Sequence, residues 1–174
     1  MEIGLFYGST TCYTEIAAEK IQGQFDDGVI SLFNLKDTPL ADSEKFDLII
    51  FGISTWDYGE IQEDWESHWD EIDDLDLNGK IIALYGMGDQ IGYTEWFQDA
   101  LGMLHDKVIA QGGYVIGFWP NDGYEFASSK ALTQDESQFV GLALDEDNQY
   151  NESELRINTW CQQIKSEIND VLTS

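Results

Sequence analysis

The chain has 174 residues, 43% of them hydrophobic, and sets 34 acids against eight Lys plus Arg for a net charge of −26. That apolar content excludes disorder, and the length predicts one domain over residues 1–174 with a sizeable core. The charge excludes nucleic acid and anionic lipid surfaces, whose phosphates demand cations; it favours basic protein partners, or simply keeps an abundant protein dissolved.

In chain order, residues 3–7 read as a strand that runs directly into Gly8-Ser9-Thr10-Thr11-Cys12-Tyr13-Thr14-Glu15. This loop of hydroxyl side chains opens a helix whose apolar face is Ala17-Ala18-Ile21-Phe25. Hydroxyls and unpaired N–H groups at a helix N-terminus form a seat for a phosphate. The loop contains no Lys or Arg, so the phosphate it suits belongs to a cofactor that stays bound. A Walker loop is excluded for want of Gly-Lys-Ser/Thr.

Residues 29–34, 48–53, 81–86 and 114–118 read as further strands, 48–53 and 81–86 apolar enough to be buried on both faces. Helices are predicted over 64–75, around Phe97-Ala100-Leu101-Leu104-Val108, and over 152–172. Alternation of this kind predicts an α/β fold, a doubly wound five-stranded parallel sheet with helices on both faces. Residues 119–138 break the periodicity before a second strand-like run at 139–144, so the fifth strand is read as split by an insertion.

In open parallel sheets, ligands bind outside the carboxyl ends of the strands. Besides the hydroxyl loop, Ser54-Thr55-Trp56-Asp57-Tyr58-Gly59-Glu60 and Gly86-Met87-Gly88-Asp89-Gln90-Ile91-Gly92-Tyr93 leave that edge. They put Trp56, Tyr58 and Tyr93 on loop tips. One such aromatic commonly just covers a sheet end, but several beside a phosphate loop suit the stacking of a flat ring. The last loop nearly spells a dinucleotide fingerprint, but Ile91 replaces the final glycine and the loop follows the fourth strand, so the match is false.

Two cysteines are too few for a disulfide framework. Cys161 shares a helical core period with Ile157, Trp160, Ile164 and Ile168, which predicts a buried thiol. His68 and His105 have no partner at metal-ligand spacing, so no metal is expected. Neither a secretory leader nor an apolar run of membrane length is seen, and a cytoplasmic location is expected.

Taken together, Gly8-Ser9-Thr10-Thr11-x-x-Thr14-Glu15, Thr55-Trp56-x-Tyr58-Gly59-Glu60, Gly88-Asp89-Gln90 with Tyr93, Asp99-Ala100-Leu101-Gly102 and 140–149 resemble flavodoxins. The resemblance covers the whole chain. The split fifth strand is similar to the long-chain subgroup, and Cys12-Tyr13 and Trp56-Asp57 are most similar to its flavodoxin B type.

The resemblance implies strand order 2-1-3-4-5 and a noncovalent FMN. Ser9, Thr10, Thr11, Cys12, Tyr13 and Thr14 would cradle its phosphate. Trp56 and Tyr93 would flank the isoalloxazine within a site completed by Ser54, Thr55, Tyr58, Gly59 and Gly88. Asp89 would face the pyrimidine edge, the Asp57–Tyr58 peptide would meet N5, and Asp145 would touch the ribityl chain. Most flavodoxins have Gly-Asn where this chain has Cys12-Tyr13. Because cysteine lacks glycine's freedom at positive φ, the loop is expected to take an ordinary helical conformation there. Asp57, where relatives carry an uncharged residue, either lies beside the ring's reactive edge or faces solvent.

The implied function is that of a monomeric, low-potential, one-electron carrier rather than an enzyme. It would link a flavodoxin/ferredoxin–NADP reductase to basic-faced acceptor enzymes through the acids of 57–76. The rival is an FMN-dependent NAD(P)H:quinone reductase, which would want a basic patch for nicotinamide phosphates. A receiver-type signalling domain shares the strand order, but Tyr7-Gly8-Ser9 and Ser54-Thr55 stand where it needs acids.

Overall fold

A computed structural model describes residues 1–174. Nine strands form, β1 (Ile3–Tyr7), β2 (Ile30–Asn34), β3 (Leu48–Trp56), β4 (Glu60–Ile61), β5 (Ile81–Met87), β6 (Tyr114–Ile116), β7 (Trp119–Pro120), β8 (Gln138–Phe139) and β9 (Leu142–Leu144). Between them lie the helices α1 (Tyr13–Gln22), α2 (Glu63–Ser67), α3 (Asp99–Ala110) and α4 (Glu146–Thr173). The main sheet runs β2-β1-β3-β5-β6, all parallel. With the short hairpin strand β4 set aside, this is the expected order 2-1-3-4-5.

The fifth position is indeed shared. β6 pairs with residues 81–83 of β5, and β9 takes over beside residues 85–87. The chain leaves β6 at Gly117, whose φ of +81° ends the strand two residues earlier than its apolar pattern predicts. The insertion then folds back through the antiparallel pair β7–β8 before β9 rejoins the sheet.

Alternation along the central strands sends side chains into two cores. Leu5, Ile50 and Tyr85 meet Ala17, Ala18, Ile21, Trp160 and Ile164 of α1 and α4 on one face. Phe6, Ile49, Phe51 and Leu84 meet Trp65, Ile72, Leu101, Leu104 and Phe139 on the other. Cys161 is fully buried in the first core, and burial pushes its thiol up to about 12. No helix is long and apolar enough to cross a membrane.

The segment 64–75 is not the single helix predicted. It divides into α2 and a 3-10 turn at Asp70–Asp74. The acids Glu66, Asp70 and Asp74 recur at i,i+4, where like charges repel, and neither piece has a base in its last turn to offset the dipole. Trp65 and Ile72 are both buried, so the break lets each reach the sheet. His68 secures the joint, with Nδ1 2.6 Å from Glu71 Oε2 and Nε2 2.9 Å from the Leu35 carbonyl. Burial lowers its pKa, but these two hydrogen bonds and the Glu71 charge outweigh that and raise it.

The last helix starts at Glu146 rather than 152, because Asp145 caps it. Its dihedrals break at Gln149 (φ −135°, ψ 35°). In the other direction, α3 begins after Phe97, since Gln98 adopts a left-handed conformation at φ 62°.

Candidate cofactor site

Loops 8–12, 57–59 and 88–98 leave β1, β3 and β5 at the same carboxyl edge of the sheet. The first is packed close to its neighbours. A Cβ on Gly8 would lie 2.2 Å from Gln62 Oε1 and 3.0 Å from Trp65 Cδ1, so only glycine fits. Gln62, fully buried, accepts from the Asp64 and Trp65 N–H groups and caps α2. Its Nε2 donates to Thr10 Oγ1 at 3.1 Å, and Thr10 in turn donates to Glu63 at 3.3 Å. The Thr10 hydroxyl is thus committed to the protein, leaving its backbone N–H for an anion.

The other donors are better placed. Ser9 Oγ is enclosed and has no hydrogen-bond partner. Thr14 is buried, with Oγ1 2.6 Å from Ser54 Oγ, so one proton is shared and the pair keeps another to donate. The backbone N–H groups of Ser9, Thr10, Thr11 and Cys12 donate to nothing in the protein. Behind the loop, the buried Tyr85 hydroxyl donates to the Thr14 carbonyl at 2.8 Å. That ring lies where a Cβ on Gly52 would be, 2.2 Å from it, so a glycine in β3 allows β5 to anchor the start of α1.

Cys12 overturns the expectation of an ordinary helical conformation. It sits at φ 69°, ψ −4°, in the left-handed region, while its carbonyl accepts the first helical bond from Ile16 N–H at 2.8 Å. The turn from Thr11 into α1 imposes this conformation and leaves the thiol exposed. For a residue with a Cβ it costs about 1–2 kcal/mol, partly offset by the extra chain entropy glycine would lose. Cys12→Gly is therefore expected to stabilise the flavin-free protein by about 0.5–1 kcal/mol. Urea unfolding measures this directly; an unchanged or lowered midpoint would show that the turn carries no such strain.

Beside the hydroxyl loop lies a cleft of about 190 Å³. It is lined by Thr11, Tyr13, Ser54, Thr55, Trp56, Met87 and Gly88, with Ser54 and Met87 at its buried end and the carboxylates of Asp57, Asp89, Glu146 and Asp147, with Tyr93, toward its mouth. Trp56 and Tyr93, both half-buried, both line it. Tyr58 does not. It is 68% exposed and packs edge-on against Tyr93 (centroids 5.9 Å apart) and Trp96 (5.0 Å), bracing the turn from outside. Gly59 also stays outside the lining; at φ +86° it passes the buried Asp99, whose Oδ2 would be 3.0 Å from a Cβ. Thr55 has a second task, as its Oγ1 accepts the Ala100 N–H at 2.9 Å and supplies the capping acceptor that Gln98 does not.

Asp57, itself at φ 45°, is exposed at the cleft mouth. Its carboxylate reaches toward the Tyr93 hydroxyl, and its hydrogen bonding and charge raise that phenol above its ordinary value. Asp89 lines the cleft while folding its own turn. Its Oδ1 accepts from Ile91 N–H (3.1 Å), Gly92 N–H (2.7 Å) and Asn148 Nδ2 (2.7 Å).

Asp145 requires correction as a ribityl contact. It is fully buried and does not line the cleft; its carboxylate accepts from Gln90 N–H and Nε2 and from Asn148 N–H and Nδ2. The next two residues, Glu146 and Asp147, take the cleft positions instead. Burial and the charges of Asp89, Asp145 and Glu146 raise the Asp147 pKa. Met87, Glu146 and Asp147 escaped the sequence reading, the last two because it began the final helix at 152 rather than at Glu146. Four carboxylates thus ring the cleft, and no Lys or Arg lines it.

Comparison with known proteins agrees with this geometry. The flavodoxin family model matches residues 5–160. The chain is 60% identical over 168 residues to Flavodoxin 2 of Salmonella typhi, covering 97% of each chain. It is 58% identical to Flavodoxin 2 of Escherichia coli K12, again over 97% of each, and 47% identical to a Nostoc flavodoxin over 95% of this chain and 96% of that one. Its fold superposes on a Fusobacterium nucleatum flavodoxin solved with flavin mononucleotide, with a TM-score of 0.89, 32% identity and 95% and 98% coverage. A sheet of this order, with an N–H and hydroxyl seat beside an aromatic, acid-rimmed cleft, and a match over nearly the whole chain place this protein in the flavodoxin family.

Proposed function

We propose that the chain carries single electrons on a noncovalently held FMN, receiving them from an NADP-linked reductase and passing them to acceptor enzymes with basic faces. The observation that carries this reading is the cation-free hydroxyl and N–H seat adjoining an aromatic cleft ringed by acids. The unpartnered Ser9 hydroxyl fits a phosphate oxygen, and the aromatics at the cleft fit a planar ring. FMN supplies reversible one-electron chemistry when bound; the protein sets its position and potential.

In this reading Ser9, Thr14 with Ser54, and the N–H groups from Ser9 to Cys12 hold the phosphate. Trp56 and Tyr93 flank the ring and exclude water from its faces. The Asp57–Tyr58 peptide would meet flavin N5, and the positive φ of Asp57 and Gly59 makes it a turn in which a peptide can reverse. Asp57, Asp89, Glu146 and Asp147 oppose added negative charge. A nicotinamide-using reductase finds no support, since no cation lines the cleft to receive a dinucleotide phosphate. Steady-state NADPH oxidation without added reductase should be negligible.

The partners are proposed from charge. Glu60, Glu63, Glu66, Asp70, Glu71 and Asp74 are exposed on the segment that follows the Trp56 loop, and Asp73 is partly offset by Lys107 at 3.2 Å. Such a face steers basic partners by long-range attraction. The rate of reduction by a flavodoxin/ferredoxin–NADP reductase should fall by about tenfold or more as salt rises past 0.1 M, where screening acts over about 10 Å. Charge reversal at Glu66 and Asp70, which make no structural side-chain bond, should slow it at low salt as well. A rate indifferent to both would reduce the acidity to a solubility device.

A further inference from the structure

We propose that Gln90 is a positioning residue for the ring-covering turn, and that the insertion 119–138 acts through it as a splint on the loop 88–98. The inference rests on the flavin reading above. Gln90 is 2% exposed yet lies in the loop between Asp89 and Tyr93, two residues of the cleft mouth. Its Nε2 donates to Asp145 Oδ2 and to Gln149 Oε1, both at 2.8 Å, and its Oε1 accepts the Glu125 N–H at 2.6 Å. One side chain thus joins the turn, the start of α4 and the insertion.

The same segment of the insertion continues alongside the loop. Ala127 N–H donates to the Thr94 carbonyl and hydroxyl (2.9 and 2.8 Å), and Lys130 N–H donates to Asp99 Oδ1 at 2.8 Å. Its outer end is tied down by Arg156, the chain's single arginine. That guanidinium donates to Gln149 Oε1 (2.7 Å) and the Gly123 carbonyl (3.3 Å) and lies 4.2 Å over the Tyr124 ring.

The bonds to Asp89 Oδ1 give the turn its shape, but shape alone does not fix where it stands relative to the sheet. A loop without regular structure would have to be ordered on binding, which weakens affinity; a loop held beforehand need not be. Gln90 and the insertion do that holding. The bonds also explain the break in α4, because the non-helical Gln149 carries the amide that bonds both Gln90 and Gly123.

The test compares the full-length parent with Gln90→Leu, which keeps the volume and removes the polar contacts. FMN and riboflavin should both bind about tenfold more weakly, because the ring side and not the phosphate seat has loosened. In the flavin-free protein, amide exchange at 91–93 should speed while exchange at 9–14 stays as in the parent. Thr94→Val removes the hydroxyl acceptor of the Ala127 N–H at a half-buried site and leaves its bond to the Thr94 carbonyl, so it should give the same pattern at smaller amplitude even if Gln90→Leu misfolds. Parent-like binding of both flavins and parent-like exchange at 91–93 would overturn the proposal. So would a loss confined to FMN, or weaker binding with no local change in exchange. A parent that binds neither flavin would sink the underlying function as well.

Discussion

FMN should bind the Ser9→Ala, Thr14→Val double variant about a hundredfold or more weakly relative to the parent, while riboflavin is affected far less. The seat holds its anion with neutral donors alone, so each hydroxyl carries a charge-assisted hydrogen bond worth about 1.5–3 kcal/mol. Removing two gives about 3–6 kcal/mol, reduced where backbone N–H groups compensate. Thr14 is bonded to Ser54 at 2.6 Å, so its replacement also strands that hydroxyl and costs some stability. That cost falls on both ligands alike, which makes the FMN-to-riboflavin affinity ratio the decisive quantity. Titration by quenching of flavin fluorescence measures it. Equal losses for the two flavins would remove the phosphate from this loop.

The second large effect is on the potential. Neutralising the cleft mouth with Asp57→Asn, Glu146→Gln and Asp147→Asn should raise the second one-electron couple by about 100 mV. A partly screened carboxylate about 8 Å away, at an effective dielectric near 40, opposes an added negative charge by about 1 kcal/mol. Since 59 mV in a one-electron couple is about 1.4 kcal/mol, each acid accounts for about 40 mV. The first couple should move less, because an electron taken up together with a proton adds no net charge. High salt should shrink the shift, since Asp57 is exposed. Spectroelectrochemistry of the triple variant decides the matter: an unchanged second couple would mean that these acids serve only the surface.

Much of this arrangement was legible in the chain. Strand and helix periods follow from which residues must be buried, and burial alternates with the local geometry of each element, so the parallel α/β sheet and the split fifth strand could be read in advance, whereas the order of the strands came only from the resemblance. A cation-free run of hydroxyls after a strand, and aromatics on loop tips, are likewise local signals. Two of the errors share a cause, since each depended on a neighbour remote in sequence. The 64–75 segment broke because Trp65 and Ile72 had to reach the same sheet face through an acid-crowded stretch. Asp145 looked like a ligand contact, but Gln90, 55 residues away, claims its carboxylate.

The sequence by itself determined the two-sided core, the edge at which the site lies and the sign of its charge, because hydrophobic periodicity and composition are properties of the chain alone. Only the tertiary structure decided which hydroxyls remain free to bind, that Glu146 and Asp147 rim the cleft, and that the insertion is bonded to the cofactor loop. Each of those depends on hydrogen-bond partners and steric room supplied by elements tens of residues away, and no local pattern encodes which of several possible partners a polar side chain will meet.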